Sequence, residues 1–220
     1  MQQLADDLYH LPLMPRNGVN AYFAGGVLFD AGTSRDAKKI LRALRGHTVT
    51  AHALTHAHPD HQGASHAVCE TLGIPLWCGT ADADAMTSGD LRPVMPDNWL
   101  TRVMRSQAGP AHPVDRYLKE GDEVGGFTVI ETPGHSPGHV VYWRERGRTL
   151  ILGDVLNGMN LLTTIPGLRE PPTVFTPNPA QNRASARKLA GLAPNLVVFG
   201  HGPPLRDPAR FRAFISSLAA

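Results

Sequence analysis

Between residues 8 and 30 the apolar positions fall in short runs broken by glycine. Residues 9–13, 21–23 and 27–30 are rich in aromatic and branched side chains, with Gly18, Gly25-Gly26 and Gly32 between them. Such a pattern predicts antiparallel hairpins. The period then changes: Ile40, Leu41 and Leu44 share one face of a helix expected over 36–45, with Ser34 as its cap and Gly46 as its stop. Residues 49–54 read as a strand running into Thr55-His56-Ala57-His58-Pro59-Asp60-His61, followed by a helix over 63–72, a strand over 75–78 and a helix from about Thr80. Strand, helix, strand in that order implies parallel pairing.

In 86–114, Met95, Trp99, Leu100, Val103 and Met104 recur at a spacing that suits one helix face between Pro93, Pro96 and Pro110. We read it as a helix packed on the core; its Met and Trp would also suit a lid over a site. Strands return at 116–118, 127–132, 139–143 and 149–152. Residues 155–178 read as one long loop, long enough to suggest a functional role. Within it Met159, Leu161, Leu162 and Ile165 could line a pocket and Arg169 could meet an anionic group, although loop packing and simple exposure explain them as well. A helix over 180–192, with Ala184, Leu189 and Leu192 inward, leads to a strand over 196–199 that ends at Gly200-His201-Gly202. Asp207-Pro208 then opens a closing helix, Asp as cap and Pro at the first turn. Two halves of strands followed by helix predict an α/β fold, a four-layer αββα sandwich of two mixed sheets flanked by helices, as one domain over 1–220.

Composition narrows the function classes. Twenty-one basic against 19 acidic residues leave a formal charge of +2, too small to imply a nucleic-acid or membrane partner. The acidic start, Asp6-Asp7, lacks the basic and apolar segments of a secretory signal, and no apolar run suits a membrane span. A cytoplasmic protein acting on a small molecule is expected, with no motif that speaks to its oligomeric state. Cys69 and Cys78 read as buried small apolar residues. Eleven histidines change the picture more.

His56 and His58, two apart beyond a strand, can turn both rings towards one ion, while Asp60 and His61 are displaced by the chain's curve towards a neighbouring point. Neutral imidazoles and a carboxylate without thiolate favour Zn²⁺, Mn²⁺ or Fe. A six-residue pattern like this arises by chance in on the order of one chain per thousand of this length. Three further groups share one setting, a strand end beside glycine: His135 in Thr132-Pro133-Gly134-His135-Ser136-Pro137-Gly138-His139, Asp154 after Leu152-Gly153, and His201 after Phe199-Gly200. His52 and His66 read as ordinary strand and helix residues, His139 as structural, and His10, His47 and His112 as surface.

THAHPDH, TPGHSPGH, LGD and FGHG, in that order, resemble the metallo-β-lactamase superfamily over nearly the whole chain. The resemblance implies two divalent ions, most simply Zn²⁺: His56, His58 and His135 on the first, Asp60, His61 and His201 on the second, and Asp154 bridging. A bridging hydroxide would then attack a small ester, lactone, thioester or phosphoester, with Asp60 orienting it as a catalytic group. β-Lactamases that place a Cys in the second site depart from this pattern, so β-lactams are not the expected natural substrate. Little besides one helix follows His201, against the glutathione thioesters of glyoxalase II-type members, and no substrate-positioning Tyr of the lactonases can be placed. The alternative is a mononuclear iron persulfide dioxygenase on the same scaffold.

Overall fold

The computed structural model describes residues 1–219. β1 (Gln2–Ala5), β2 (Leu8–Pro12), β3 (Asn20–Ala24) and β4 (Val27–Phe29) form an antiparallel ladder, to which β5 (Ala51–Ala53), β6 (Leu76–Gly79) and β7 (Arg116–Leu118) add in parallel. The result is a seven-stranded mixed sheet in simple order. Its connections carry α1 (Ala37–Ala43), α2 (Pro59–Gln62), α3 (Ser65–Leu72), α4 (Thr80–Ser88) and α5 (Trp99–Arg105). The second sheet comprises β8 (Glu123–Val124), β9 (Phe127–Glu131), β10 (Val140–Arg144), β11 (Thr149–Ile151) and, beyond a small hairpin of β12 (Asn157–Met159) and β13 (Pro166–Arg169), β14 (Leu196–Val198). Its order is β14-β11-β10-β9-β8, antiparallel except where β11 meets β14. α6 (Pro179–Lys188) and α7 (Pro208–Ser216) complete the chain.

Alternation within strands builds the layers. Tyr22, Phe29 and Ala53 of the first sheet meet Phe127, Val129, Tyr142, Ile151 and Val198 of the second in one core. The opposite faces are also apolar: Ala21, Phe23 and Leu28 pack with Ile40, Leu44 and Val68, while Val141, Trp143 and Leu150 pack with Ala186, Phe211 and Ile215. Helix, sheet, sheet, helix is the expected four-layer α/β plan. Two phenols pin the sheets together beside the future site: Tyr142 Oη donates to Leu54 O at 2.5 Å and Tyr22 Oη to Phe199 O at 2.8 Å.

Several expectations need correction. The stretch 155–178 contains the β12–β13 hairpin and a short 3₁₀ turn, Thr173–Phe175, and so is not one loop. Ser34 does not cap α1; its hydroxyl reaches Gln107 O, and Asp36 occupies the cap position with its carboxylate turned back to Thr33. In α5 the buried position is Thr101, whereas Trp99 is 75% exposed and Val103 is also exposed, because Asn98 and Thr101 close a capping box that sets the helix's rotation. Ala184 is exposed, and Asn182, Ser185 and Ala186 face inward instead. His10 and His112 are buried: His10 Nε2 bonds Asn20 Oδ1 at 2.8 Å and its ring stacks on Tyr22, so a partnered imidazole fits the interior. Among the described residues no helix is long and apolar enough to cross a membrane.

Candidate metal centre

β9, β11 and β14 run the same way, so their C-terminal ends share one sheet edge, and the chain leaving β5 meets them there. Pro59 opens α2 and His58 precedes it in extended backbone (φ −78°, ψ 154°), which turns the chain between His58 and Asp60. Gly200 admits this convergence: a Cβ there would fall on Asp154 Oδ1 and His61.

Outer partners fix which nitrogen each imidazole turns inward. Thr55 Oγ1 donates to Asp30 Oδ2 at 2.8 Å and therefore accepts from His56 Nδ1 at 3.0 Å, leaving His56 Nε2 as the lone pair. Thr176 Oγ1 donates to Pro172 O at 3.0 Å and accepts from His135 Nδ1 at 3.1 Å, with the same result for His135 Nε2. His61 Nδ1 donates to Asp30 Oδ2 at 2.9 Å, and His201 Nδ1 to Gly18 O at 2.5 Å. His58 is reversed; its Nε2 donates to Val94 O at 2.9 Å, so Nδ1 carries the lone pair. Such outer bonds orient metal-ligating histidines generally.

The donors fall into overlapping sets. His56, His58 and His135 offer atoms within 4.8 Å of one another, as do Asp60, His61 and His201, and as do His56, His61 and Asp154. Asp154 touches both ends: its Oδ2 lies 3.6 Å from His135 Nε2 and 3.1 Å from His201 Nε2, and its Oδ1 lies 3.6 Å from His61 Nε2. Asp60 Oδ2 stands 3.3 Å from His201 Nε2. His56 Nε2, His135 Nε2 and Asp154 Oδ1 are buried without a hydrogen-bond partner. Unsatisfied buried acceptors are costly and rare; three facing one another among N and O donors fit divalent cations.

Electrostatics divides the set. Burial, reinforced by neighbouring imidazoles, holds His56 and His135 well below the usual 6.5 and lowers His58 as well. Neutral imidazole is the ligand form. Burial would also lower His61 and His201, but Asp154 overrides it in both, raising His61 to about 10 with help from Asp30. Burial alone would raise Asp60 and Asp154; their histidine partners hold both carboxyls below the usual carboxylate range.

All seven predicted residues therefore meet at one edge. His139 stands just outside: its Nδ1 lies 2.9 Å from Thr132 Oγ1 and its Nε2 accepts from the Asp154 backbone N–H at 3.1 Å, which positions that carboxylate. Sequence reasoning missed Asp30, Thr55, Thr176 and Asp82. Asp82, on α4, accepts from Ala57 N at 2.9 Å, Ser136 Oγ at 2.6 Å and Gly138 N at 2.6 Å, tying the two histidine loops together. A cleft of about 470 Å³ opens beside Asp60, lined by Met14, Arg35, Pro59, Met104, Ser106 and Gln107 among others. The suggested pocket residues Met159, Leu161, Leu162 and Arg169 line a separate hollow of about 140 Å³, and Leu162 is 95% exposed.

Residues 14–201 match the family model of the metallo-beta-lactamase superfamily. The chain belongs to that superfamily. The curated relative named probable metallo-hydrolase YflN, from Bacillus subtilis, is 31% identical over 214 residues, covering 88% of this chain and 81% of that one. Two solved structures are similar: BLEG-1, a B3 metallo-beta-lactamase (31% identity, TM-score 0.68, 90% of this chain and 93% of that one), and TTHA1623 in a di-iron-bound form (30%, 0.68, 90% and 94%). The chain is a metallo-hydrolase of the metallo-β-lactamase fold.

Proposed function

We propose that this metallo-hydrolase works with a two-metal centre on a small ester, lactone, thioester or phosphoester. His56, His58 and His135 would hold one ion, Asp60, His61 and His201 the other, and Asp154 would be shared. The observation that carries the reading is the position of Asp154, within 3.6 Å of imidazoles from both sets. That one similar protein was solved in a di-iron-bound form supports it. Two divalent ions in such a cage lower the pKa of water to near neutrality and polarise a scissile carbonyl or phosphoryl group.

The chain's own residues supply the rest. Asp60 belongs to the cage and also lines the cleft, its side chain 23% exposed. Held ionised by His201, it can accept a hydrogen bond from an attacking water and orient it, the role given to it as a catalytic carboxylate. Met14, Pro59 and Met104 give the cleft apolar walls, and Arg35 offers a cation to an anionic substituent. The cleft's volume suits a small molecule.

Two measurements test the reading. Protein purified without added metal should carry two Zn or Mn per chain; one Fe per chain with O₂ consumption would replace it with the persulfide dioxygenase. A hydrolytic panel should include β-lactams, because a B3 metallo-beta-lactamase is among the similar structures. Activity should vanish in both His58→Ala and Asp154→Ala, and Arg35→Ala should raise KM selectively for anionic substrates. Hydrolysis that survives both cage variants would sink the proposal.

A further inference from the structure

Away from the cage the fold gathers another set of metal-ligating side chains. His66 and Glu70 sit one turn apart on α3 and so share a face. His112 comes from the segment between α5 and β7, where its backbone N–H donates to Met86 O at 3.1 Å. His66 Nδ1 and His112 Nδ1 stand 3.2 Å apart, with Glu70 Oε1 3.8 Å from His112 Nδ1. One donor atom from each residue lies within 4.8 Å of the other two. Around a tetrahedral Zn²⁺ with bonds of about 2.0–2.1 Å, ligand atoms are about 3.3–3.4 Å apart. The nitrogen pair already matches that edge, and only the long, mobile Glu70 side chain has to close in.

The surroundings favour cation capture. His112 is 8% exposed, and burial with His66 beside it lowers its pKa, keeping the lone pair free. Glu70 is 64% exposed, which leaves the ion a path from solvent and room for a water in the fourth position. One hydrogen bond between the two imidazoles is all the pair can make alone; an ion satisfies both nitrogens.

We propose that His66, Glu70 and His112 form a separate divalent-cation site, suited to Zn²⁺, that clamps the segment between α5 and β7 onto α3. The clamp bears on the cleft. Ser106 and Gln107 of the same segment line it, next to Met104 in the last turn of α5, and Gly109 lies so close to Gly63, just after α2, that a Cβ would run into Gly63 O. Fixing His112 therefore fixes one wall of the substrate cleft. The site stands whether the cage holds two ions or one.

The test is zinc content of the full chain at free Zn²⁺ stepped from nanomolar to tens of micromolar. Wild type should take up one equivalent more than His66→Gln/His112→Gln, and a His58→Ala cage variant should keep that extra equivalent. Glu70→Gln, an exposed change that leaves the core alone, should weaken the step at least tenfold and serves if the double variant fails to fold. In wild type the same zinc step should slow proteolysis between Arg105 and Arg116; in Glu70→Gln it should not. Equal zinc content in wild type and both clamp variants would overturn the site, and an extra equivalent without slower cleavage would overturn the clamp.

Discussion

The two halves of the cage bind their imidazoles by different means. His56, His58 and His135 are steered by neutral acceptors, Thr55, Val94 and Thr176, and burial leaves them without protons to spare. His61 and His201 are surrounded by carboxylates, Asp30, Asp60 and Asp154, and hold protons strongly. On the proposed two-metal reading, the first half would be ready for a cation, whereas the second would have to exchange protons for one, because a bound imidazole offers its lone pair. The cage would then present a preformed site and a proton-gated site joined by Asp154. The halves meet again further out, since Asp30 Oδ2 accepts from His61 directly and from Thr55, which orients His56.

Breaking that outer junction should have the largest effect. The two oxygens of Asp30 accept three bonds: Thr55 N at 2.8 Å on Oδ1, and Thr55 Oγ1 at 2.8 Å with His61 Nδ1 at 2.9 Å on Oδ2. An amide must turn an NH₂ group towards one of those positions. We expect Asp30→Asn to weaken metal binding by about 10–100-fold, the range for lost outer partners, and chiefly at the weaker step of a zinc titration against a competing chelator. A loss confined to the tighter step would reverse the assignment of Asp30 to the carboxylate-rich half.

A smaller change should come from the neutral half. Thr176→Val keeps the shape of a buried side chain but removes the acceptor for His135 Nδ1. His135 can then exchange tautomers, and zinc affinity should drop about tenfold, the low end of the same range. The drop should fall on the tighter step alone. If both steps weakened equally, the halves would be one cooperative unit.

The cage was legible in the sequence and its supports were not. Each of the seven residues stands in a marked setting, a strand end beside glycine or the dense run from His56 to His61. Asp30, Thr55 and Thr176 carry no such mark: Asp30 meets its partners 25 and 31 residues away, and Thr176 meets His135 across 41. A lone Asp or Thr beyond a strand, or after a 3₁₀ turn as Thr176 is, looks like any turn residue until tertiary pairing shows its bond. Only one wall of the cleft is legible in the sequence: Met104 belongs to the run that suits a lid over a site, whereas Met14 and Arg35 arrive from distant segments. Most strands could be read because apolar alternation and glycine agreed. β1 (Gln-Gln-Leu-Ala) and β13 (Pro-Gly-Leu-Arg) lack β-branched residues, and their pairing is decided by neighbouring strands.

The gentlest expected difference between the halves is a slope of stability with pH. In the folded, metal-free chain His61 is raised to about 10 from 6.5, and His201 is raised well above 6.5. Stability from those two protons is whole below 6.5 and is lost as pH rises towards 10. His52 has the opposite sign: burial lowers it to about 4, so its contribution is whole above 6.5 and is lost as pH falls to that value. His56 and His135, also lowered, steepen the acid side. The chelated protein should therefore be most stable near pH 6.5, with slopes of at most about 1.4 kcal/mol per pH unit for each proton. Zinc should flatten the alkaline slope, because it takes the place of the protons on His61 and His201. The acid slope should persist and steepen, because below 6.5 the unfolded chain still binds the protons that zinc displaces from His61 and His201, while His52, outside the cage and bonded to Leu28 O at 3.0 Å and Ser65 Oγ at 2.8 Å, keeps its own contribution. Urea midpoints from about pH 5 to 9, with chelator and with excess zinc, give both limbs. An alkaline limb equally steep in both series would mean that zinc does not displace those protons, and the proton-gated half would have to be given up.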